Sequence, residues 1–294
     1  MDIELIQKNK ADIVQRFGAW TAHNIQLAED VYTIDHRIVG DELKLRRILQ
    51  MTTDLAGGQL GQLRVLDLAC LEGLYSVEMA RHGAQVVGIE GREANIAKAR
   101  FAKEVLGLAN LEFVQDDVRN LSRQKYGEFD VILCLGILYH LDVPDVFTQV
   151  ERIAECCKRF AIIDTHISLS GELLQQHNGR DYRGHFIQEH APAATAEQRA
   201  KSLWASLDNV RSFWFTRASL LNLLAHTGFT SVYECFNPAE IHKPADRITL
   251  LALKGQPQTL LASPLTNALP HDDWPEQKDA SSGGWSGFVK KLLG

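Results

Sequence analysis

Short apolar runs alternate with amphipathic stretches from about residue 61 to 255, and this alternation constrains the fold more than any other feature. Arg64-Val65-Leu66-Asp67-Leu68 reads as a buried strand, followed by a helical pattern over Leu74–His82 that stops at Gly83. A second strand spans Ala84–Glu90, and a helix over Ala94–Leu106 ends at Gly107, a common helix stop. Strands follow at Leu111–Val114, Phe129–Leu135 and Phe160–Asp164, with a helix started near Pro144 between the last two. A helix over Leu220–His226 and strands at Val232–Phe236 and Ile248–Leu253 complete the series. Continuously apolar strands separated by amphipathic helices require a mostly parallel sheet covered on both faces. The expected fold is therefore α/β, a doubly wound, seven-stranded sheet.

Three zones frame that sheet. Residues 1–60 read as a helical cap, with apolar spacing at Ile3, Ile6, Ile13, Val14 and Phe17. Residues 61–255 form the main domain, with an insertion over 168–215 after the fifth strand. Residues 256–294 carry four prolines and read as a flexible tail, in which Trp285–Leu293 has the pattern of a short amphipathic helix.

In a doubly wound sheet, ligands bind beyond the carboxyl ends of the strands, next to the first one. The loop there is Asp67-Leu68-Ala69-Cys70-Leu71-Glu72-Gly73. Its small residues let a ligand approach the backbone, and the next helix presents free N–H groups. Glu90 ends the second strand, followed by Gly91, and an acid there can accept both hydroxyls of a ribose. Asp116 and Asp117 end the third strand, where a carboxylate can accept from an adenine amino group. A dinucleotide needs three glycines around its pyrophosphate, and this loop offers Gly73 alone, which argues against NAD.

These residues resemble the class I, Rossmann-like S-adenosylmethionine (SAM)-dependent methyltransferase family from about Val65 to Lys254. Val65–Gly73 is similar to its first motif, Glu90 to its ribose acid and Asp117-Val118 to its adenine pair. Phe129–Ile132 with Leu138-Tyr139-His140 is similar to its fourth-strand motif. The resemblance implies SAM as cofactor, with Asp67, Ala69, Cys70, Glu72, Gly73, Glu90, Gly91, Asp116, Asp117, Val118 and Leu135 around it. Trp20 and His23 would then form a roof. Ala69 and Leu71 stand where the family has glycines, so Leu71 is expected at a position that does not need φ > 0.

The acceptor is expected at the ends of the fourth and fifth strands and under the insertion. His140, Asp164, His166, Arg180 and His185 are the candidate catalytic residues, His being the usual base near neutral pH. An insertion dense in Arg, His, Tyr and Trp is costly to order unless it covers something, so a lid is expected. Asp164, His166, His185 and His190 match no metal-ligand spacing, and no metal is expected.

The net charge of −6 and the sparse basic clusters argue against a nucleic-acid partner and for a small-molecule acceptor. Two other readings are kept open. Gly136–Leu141 and Gly179–Tyr182 faintly resemble SAM-dependent enzymes of wobble-uridine tRNA, and a SAM-binding protein without transfer activity is the third. Five cysteines without a C-x-x-C pair, no signal-peptide pattern at Met1–Glu4 and no apolar run of about 18 residues suit a cytoplasmic protein.

Overall fold

The computed structural model describes residues 2–34, 42–236, 245–256 and 273–276. Its opening elements are α1 (Ile3–Phe17), β1 (Gln26–Ala28), β2 (Val31–Tyr32), α2 (Glu42–Leu55), β3 (Arg64–Leu68) and α3 (Leu74–Arg81). Next come β4 (Gln85–Glu90), α4 (Glu93–Leu106), β5 (Leu111–Gln115), α5 (Arg123–Tyr126), β6 (Phe129–Leu135), α6 (Asp145–Cys156) and β7 (Cys157–His166). The chain continues with β8 (Leu173–His177), β9 (Arg180–Gln188), α7 (Ala196–Lys201), β10 (Arg211–Phe215), α8 (Arg217–His226), β11 (Ser231–Cys235) and β12 (Arg247–Leu253).

The central sheet has the order β11-β12-β7-β6-β3-β4-β5. Its five strands from β7 to β5 run parallel, β12 pairs antiparallel with β7, and β11 pairs antiparallel with β12 at the edge. Alternate residues of a strand face opposite sides, and the core divides accordingly. Val65, Val131, Leu133 and Ile162 pack with α1, α2, α3 and α4. Leu66, Leu68, Ile132 and Ile163 pack with α6, α8 and the small sheet. Each expected central strand is present, and the order places the ends of β3, β4 and β6 side by side.

Two regions differ from the sequence expectation. The N-terminal zone is not helical throughout, because β1 and β2 pair antiparallel across a turn with Asp30 at φ 56°. The insertion is not a loop: β8, β9 and β10 form a separate three-stranded antiparallel sheet of order β10-β9-β8. β10 buries Phe213 and Phe215, whereas β8 and β9 are largely exposed or half-buried and carry many polar residues, so apolar alternation does not reveal them. The turn does, since Asn178 and Gly179 both take positive φ (49° and 73°), as a two-residue Asn-Gly hairpin requires.

The first-motif loop carries the largest correction. Ala69 has φ 53° and Leu71 has φ 51°, so both residues that replace the family's glycines are held in the left-handed region. Such a residue costs about 1–2 kcal/mol relative to glycine. Ala69→Gly, which loses almost no side chain, is expected to stabilise the protein by about 1 kcal/mol. A urea midpoint that falls instead would mean that the Ala69 methyl packs more favourably than its backbone is strained.

Residues 273–276, placed in the flexible tail by sequence, are held against α8. The hydroxyls of Thr216 and Ser219 donate to Glu276 (2.7 and 2.8 Å), and Asn222 exchanges two hydrogen bonds with the Trp274 backbone (3.0 and 2.7 Å). The amphipathic stretch Trp285–Leu293 lies outside the described residues. No helix among the described residues is long and apolar enough to cross a membrane.

Candidate active site

A cavity opens over the carboxyl ends of β3, β4 and β6, roofed by residues 203–208 of the insertion. Asp67, Ala69, Cys70, Glu90, Gly91, Asp117, Val118, Leu135 and His140 line it, as the sequence suggested. Asp67 points to the α3 side and accepts from the Ser76 hydroxyl (2.6 Å). Burial pushes its carboxyl up to about 7, against the Ser76 hydrogen bonds that favour the ion. Burial likewise raises Glu90, offset in part by the Arg92 N–H and charge and by the Leu71 N–H. Those N–H groups donate to its two oxygens at 2.8 and 3.1 Å. Burial beside Asp67 and Glu90 keeps the Cys70 thiol protonated, so it is no nucleophile.

Asp117 caps the next turn by accepting from the Arg119 N–H (2.8 Å), and the Arg119 guanidinium donates to both of its oxygens. Burial opposes ionisation there, but the Arg119 bonds hold the carboxyl below the ordinary range. Arg119 also reaches Asp208 (2.6 Å) and Asp145 (3.2 Å), tying the roof to the acid at the end of β5. Arg92 holds the same roof, its NH2 donating to the carbonyls of Ser202, Ala205 and Ser206 (2.9–3.1 Å).

Four residues expected around the cofactor lie outside the cavity lining. Asp116 turns away to Lys125 (2.6 Å), Tyr126 and Asn120, bonds that outweigh burial and bring its carboxyl down to about 2. Gly73 serves packing: a Cβ there would stand 2.7 Å from Phe113 Cζ. Trp20 is core, with its ring centroid 5.8 Å from that of Phe101.

Glu72 is an anchor. Wholly buried, it accepts from the N–H groups of Thr21, Ala22 and His23 (2.8, 3.2 and 3.1 Å) and pairs with buried Lys98 (3.1 Å). Lys98 also donates to the Ala19 carbonyl (2.6 Å). This hook places His23 at the cavity, where its Nδ1 accepts from the Leu74 N–H (3.1 Å).

On the other side, His140 Nδ1 meets both oxygens of Glu189 (3.1 and 3.0 Å). Glu189 follows β9 and also accepts from the Ser212 hydroxyl (2.7 Å) and the Ser206 N–H (2.8 Å). Burial works against its charge, yet the bonds from His140, Ser212 and Ser206 keep its carboxyl below the ordinary range. An ionised Glu189 fixes the proton on Nδ1 and leaves Nε2 as an acceptor. His140 lines the cavity, so the geometry matches a general base held by a carboxylate.

The other catalytic candidates do not line the cavity. Asp164 is buried beside Arg247, Thr249 and Lys44, whose charges and bonds lower its carboxyl despite burial. His166 stacks on Trp214 (4.7 Å) and bonds Asp246 (2.9 Å); burial outweighs that carboxylate and shifts the ring's pKa downward. His185 sits opposite Trp214 in the small sheet, and its buried Nδ1 has no partner. Arg180 is at the hairpin, 3.8 Å from Asp273, far along the chain's exposed surface. Lys44, Tyr75, Arg92, Arg119 and Arg247 line the cavity without having been expected there. Among the described residues no group of three or more His, Cys, Asp or Glu is placed to hold a metal.

Residues 60–205 match a family described as a methyltransferase domain. The chain is 39% identical over 90 residues to a ubiquinone biosynthesis O-methyltransferase of Acinetobacter baylyi, covering 31% of this chain and 37% of that protein. It is 35% identical over 123 residues to the Yersinia pestis protein of the same name, covering 42% and 47%. The chain thus spans less than half the length of the curated relatives it matches. Among solved structures, the N-terminal domain of EvdMO1 with S-adenosylhomocysteine (SAH) bound aligns with a TM-score of 0.67. That alignment has 24% identity and covers 87% of this chain and 98% of the other. With the strand order and the matched domain in agreement, residues 60–205 carry a methyltransferase domain of the class I, Rossmann-like SAM-dependent kind.

Proposed function

We propose that the protein transfers a methyl group from SAM to a hydroxyl of a small molecule. The observation that carries the choice of a hydroxyl is the His140–Glu189 pair at the cavity wall. An amine or thiol acceptor needs no base, whereas a hydroxyl gains from one.

The cavity fits the cofactor. Glu90 offers carboxylate oxygens to ribose hydroxyls, Val118 and Leu207 offer apolar surface to a purine, and Asp67 offers a carboxylate to an ammonium. When bound, SAM supplies a methyl carbon already activated by a sulfonium. The residues then have to align the acceptor, exclude water and take one proton. His140 would take the hydroxyl proton at Nε2, and the bound cofactor would supply the methyl group and leave as SAH. Glu189 stabilises the resulting imidazolium through Nδ1–H. Residues 202–208, fastened by Arg92 and Arg119, act as the lid within the insertion 168–215. A cytoplasmic setting suits the five free cysteines, four of them buried.

Calorimetric titration with SAM and SAH tests the cofactor half. Wild type is expected to bind in the micromolar range and Glu90→Ala roughly 10- to 100-fold more weakly, the loss of charge-assisted hydrogen bonds. Asp117→Ala should lose less, because Arg119 already occupies that carboxylate. Asp67 takes up a proton below about pH 7, while a bound ammonium requires its anion. Affinity should therefore fall about tenfold per pH unit below 7. Absence of binding by wild type would end the methyltransferase reading.

A further inference from the structure

The acceptor wall is built around a cation that is only partly used. Arg247 begins β12 and pairs across from His166 at the end of β7. Its Nε and NH2 donate to one oxygen of the wholly buried Asp164 (2.7 and 2.6 Å), and Thr249 donates to the other (2.6 Å). Among the described residues the third nitrogen, NH1, has contacts only at 3.4 Å, to the Tyr139 hydroxyl and to His166 Nε2. Both contacts are at the outer edge of hydrogen bonding. His166 gives NH1 no negative charge, because its own carboxylate partner, Asp246, lies on Nδ1. Arg247 and Tyr139 both line the cavity, and Lys44 lines it from α2, 3.7 Å from Asp164.

A guanidinium fixed on one edge by a buried carboxylate presents its free edge in a set direction, and oxyanions are its natural complement. We propose that NH1 of Arg247 and the Tyr139 hydroxyl hold an anionic group of the acceptor, a carboxylate or a similar oxyanion. The Tyr139 and His140 rings are neighbours at 4.3 Å. An acid gripped by Arg247 therefore brings a hydroxyl on the same small ring toward His140. The substrate class is a small hydroxy acid. This rests on the methyl-transfer reading, and it adds that a neutral acceptor leaves a buried guanidinium edge unpaired.

The test uses the full chain saturated with SAH, titrated calorimetrically with benzoate and with benzamide, its neutral counterpart of the same shape. Benzoate is expected to bind at least tenfold more tightly. Arg247→Lys keeps a cation for Asp164 but loses the forked edge, and it should abolish the preference. Tyr139→Phe leaves the Arg247–Asp164 pair in place, and it should weaken benzoate several-fold with SAH affinity unchanged. Equal affinities, or no binding of either probe to SAH-loaded protein, would overturn the anion site and leave the cofactor site standing. So would a loss in Arg247→Lys that appears in SAH affinity, since Arg247 would then serve the cofactor. Failure of SAH to bind at all is a separate result in the same titration, and it removes both readings.

Discussion

His140→Ala is expected to lower the methyl-transfer rate by roughly 10²- to 10⁴-fold, the range for a positioned general base, with SAH affinity nearly unchanged. The ring nitrogen Nδ1 is committed to Glu189, so the ring cannot turn without breaking two contacts near 3 Å. Glu189→Gln keeps the shape but offers Nδ1 a neutral partner that no longer stabilises the imidazolium. Its effect should be smaller than that of His140→Ala and fall on kcat more than on KM. Single-turnover rates with a hydroxy-acid acceptor, beside an SAH titration of each variant, separate chemistry from binding. A His140→Ala enzyme that turns over within threefold of wild type would show that the hydroxyl needs no base here. The proposal would then move to an amine or thiol acceptor.

Lys98→Met is expected to destabilise the protein by about 3–5 kcal/mol, because it leaves Glu72 as an uncompensated charge in the core. Both side chains are at most 1% exposed, so water cannot take over the role of the ammonium. Three backbone N–H groups remain on Glu72. They soften the loss, and they also mean that Glu72→Ala would orphan a whole segment. The double variant Lys98→Met/Glu72→Gln should recover part of the stability, since the buried charge is then gone. Urea unfolding of the three proteins measures this. A loss below about 1 kcal/mol for Lys98→Met would show that the N–H groups alone hold Glu72. The effect reaches the cavity because the same hook carries residues 19–23, including His23.

The sheet was legible because its information is local. Arg64–Leu68 and Phe129–Leu135 announce themselves by short apolar runs, and Glu90 and Asp117 by their places at strand ends. What sequence order did not convey was direction. Glu72 and Gly73 belong to the right loop, but the left-handed turns at Ala69 and Leu71 send Glu72 into the core instead of the cavity. Asp116 and Asp117 are adjacent, yet only the second faces inward. The cavity wall around His140 and Arg247 was hidden for a different reason. Glu189, Arg247 and Lys44 come from three distant parts of the chain and meet His140 and Asp164 only after folding. In the small sheet the hairpin had one clear signal, Asn178-Gly179, between strands β8 and β9 that are too polar to show a face.

Two of the ion-pair systems near the cavity differ in how much water they see. The Glu72–Lys98 hook is dry, whereas Arg119 and its partners Asp117, Asp145 and Asp208 are 27–53% exposed. Mobile ions screen the second set and hardly reach the first. Ionic strength therefore acts on the Arg119 side far more than on the Glu72 side. Raising it is expected to loosen the roof at residues 203–208, which hydrogen exchange of those amides would report, and to leave residues 19–23 as protected as before.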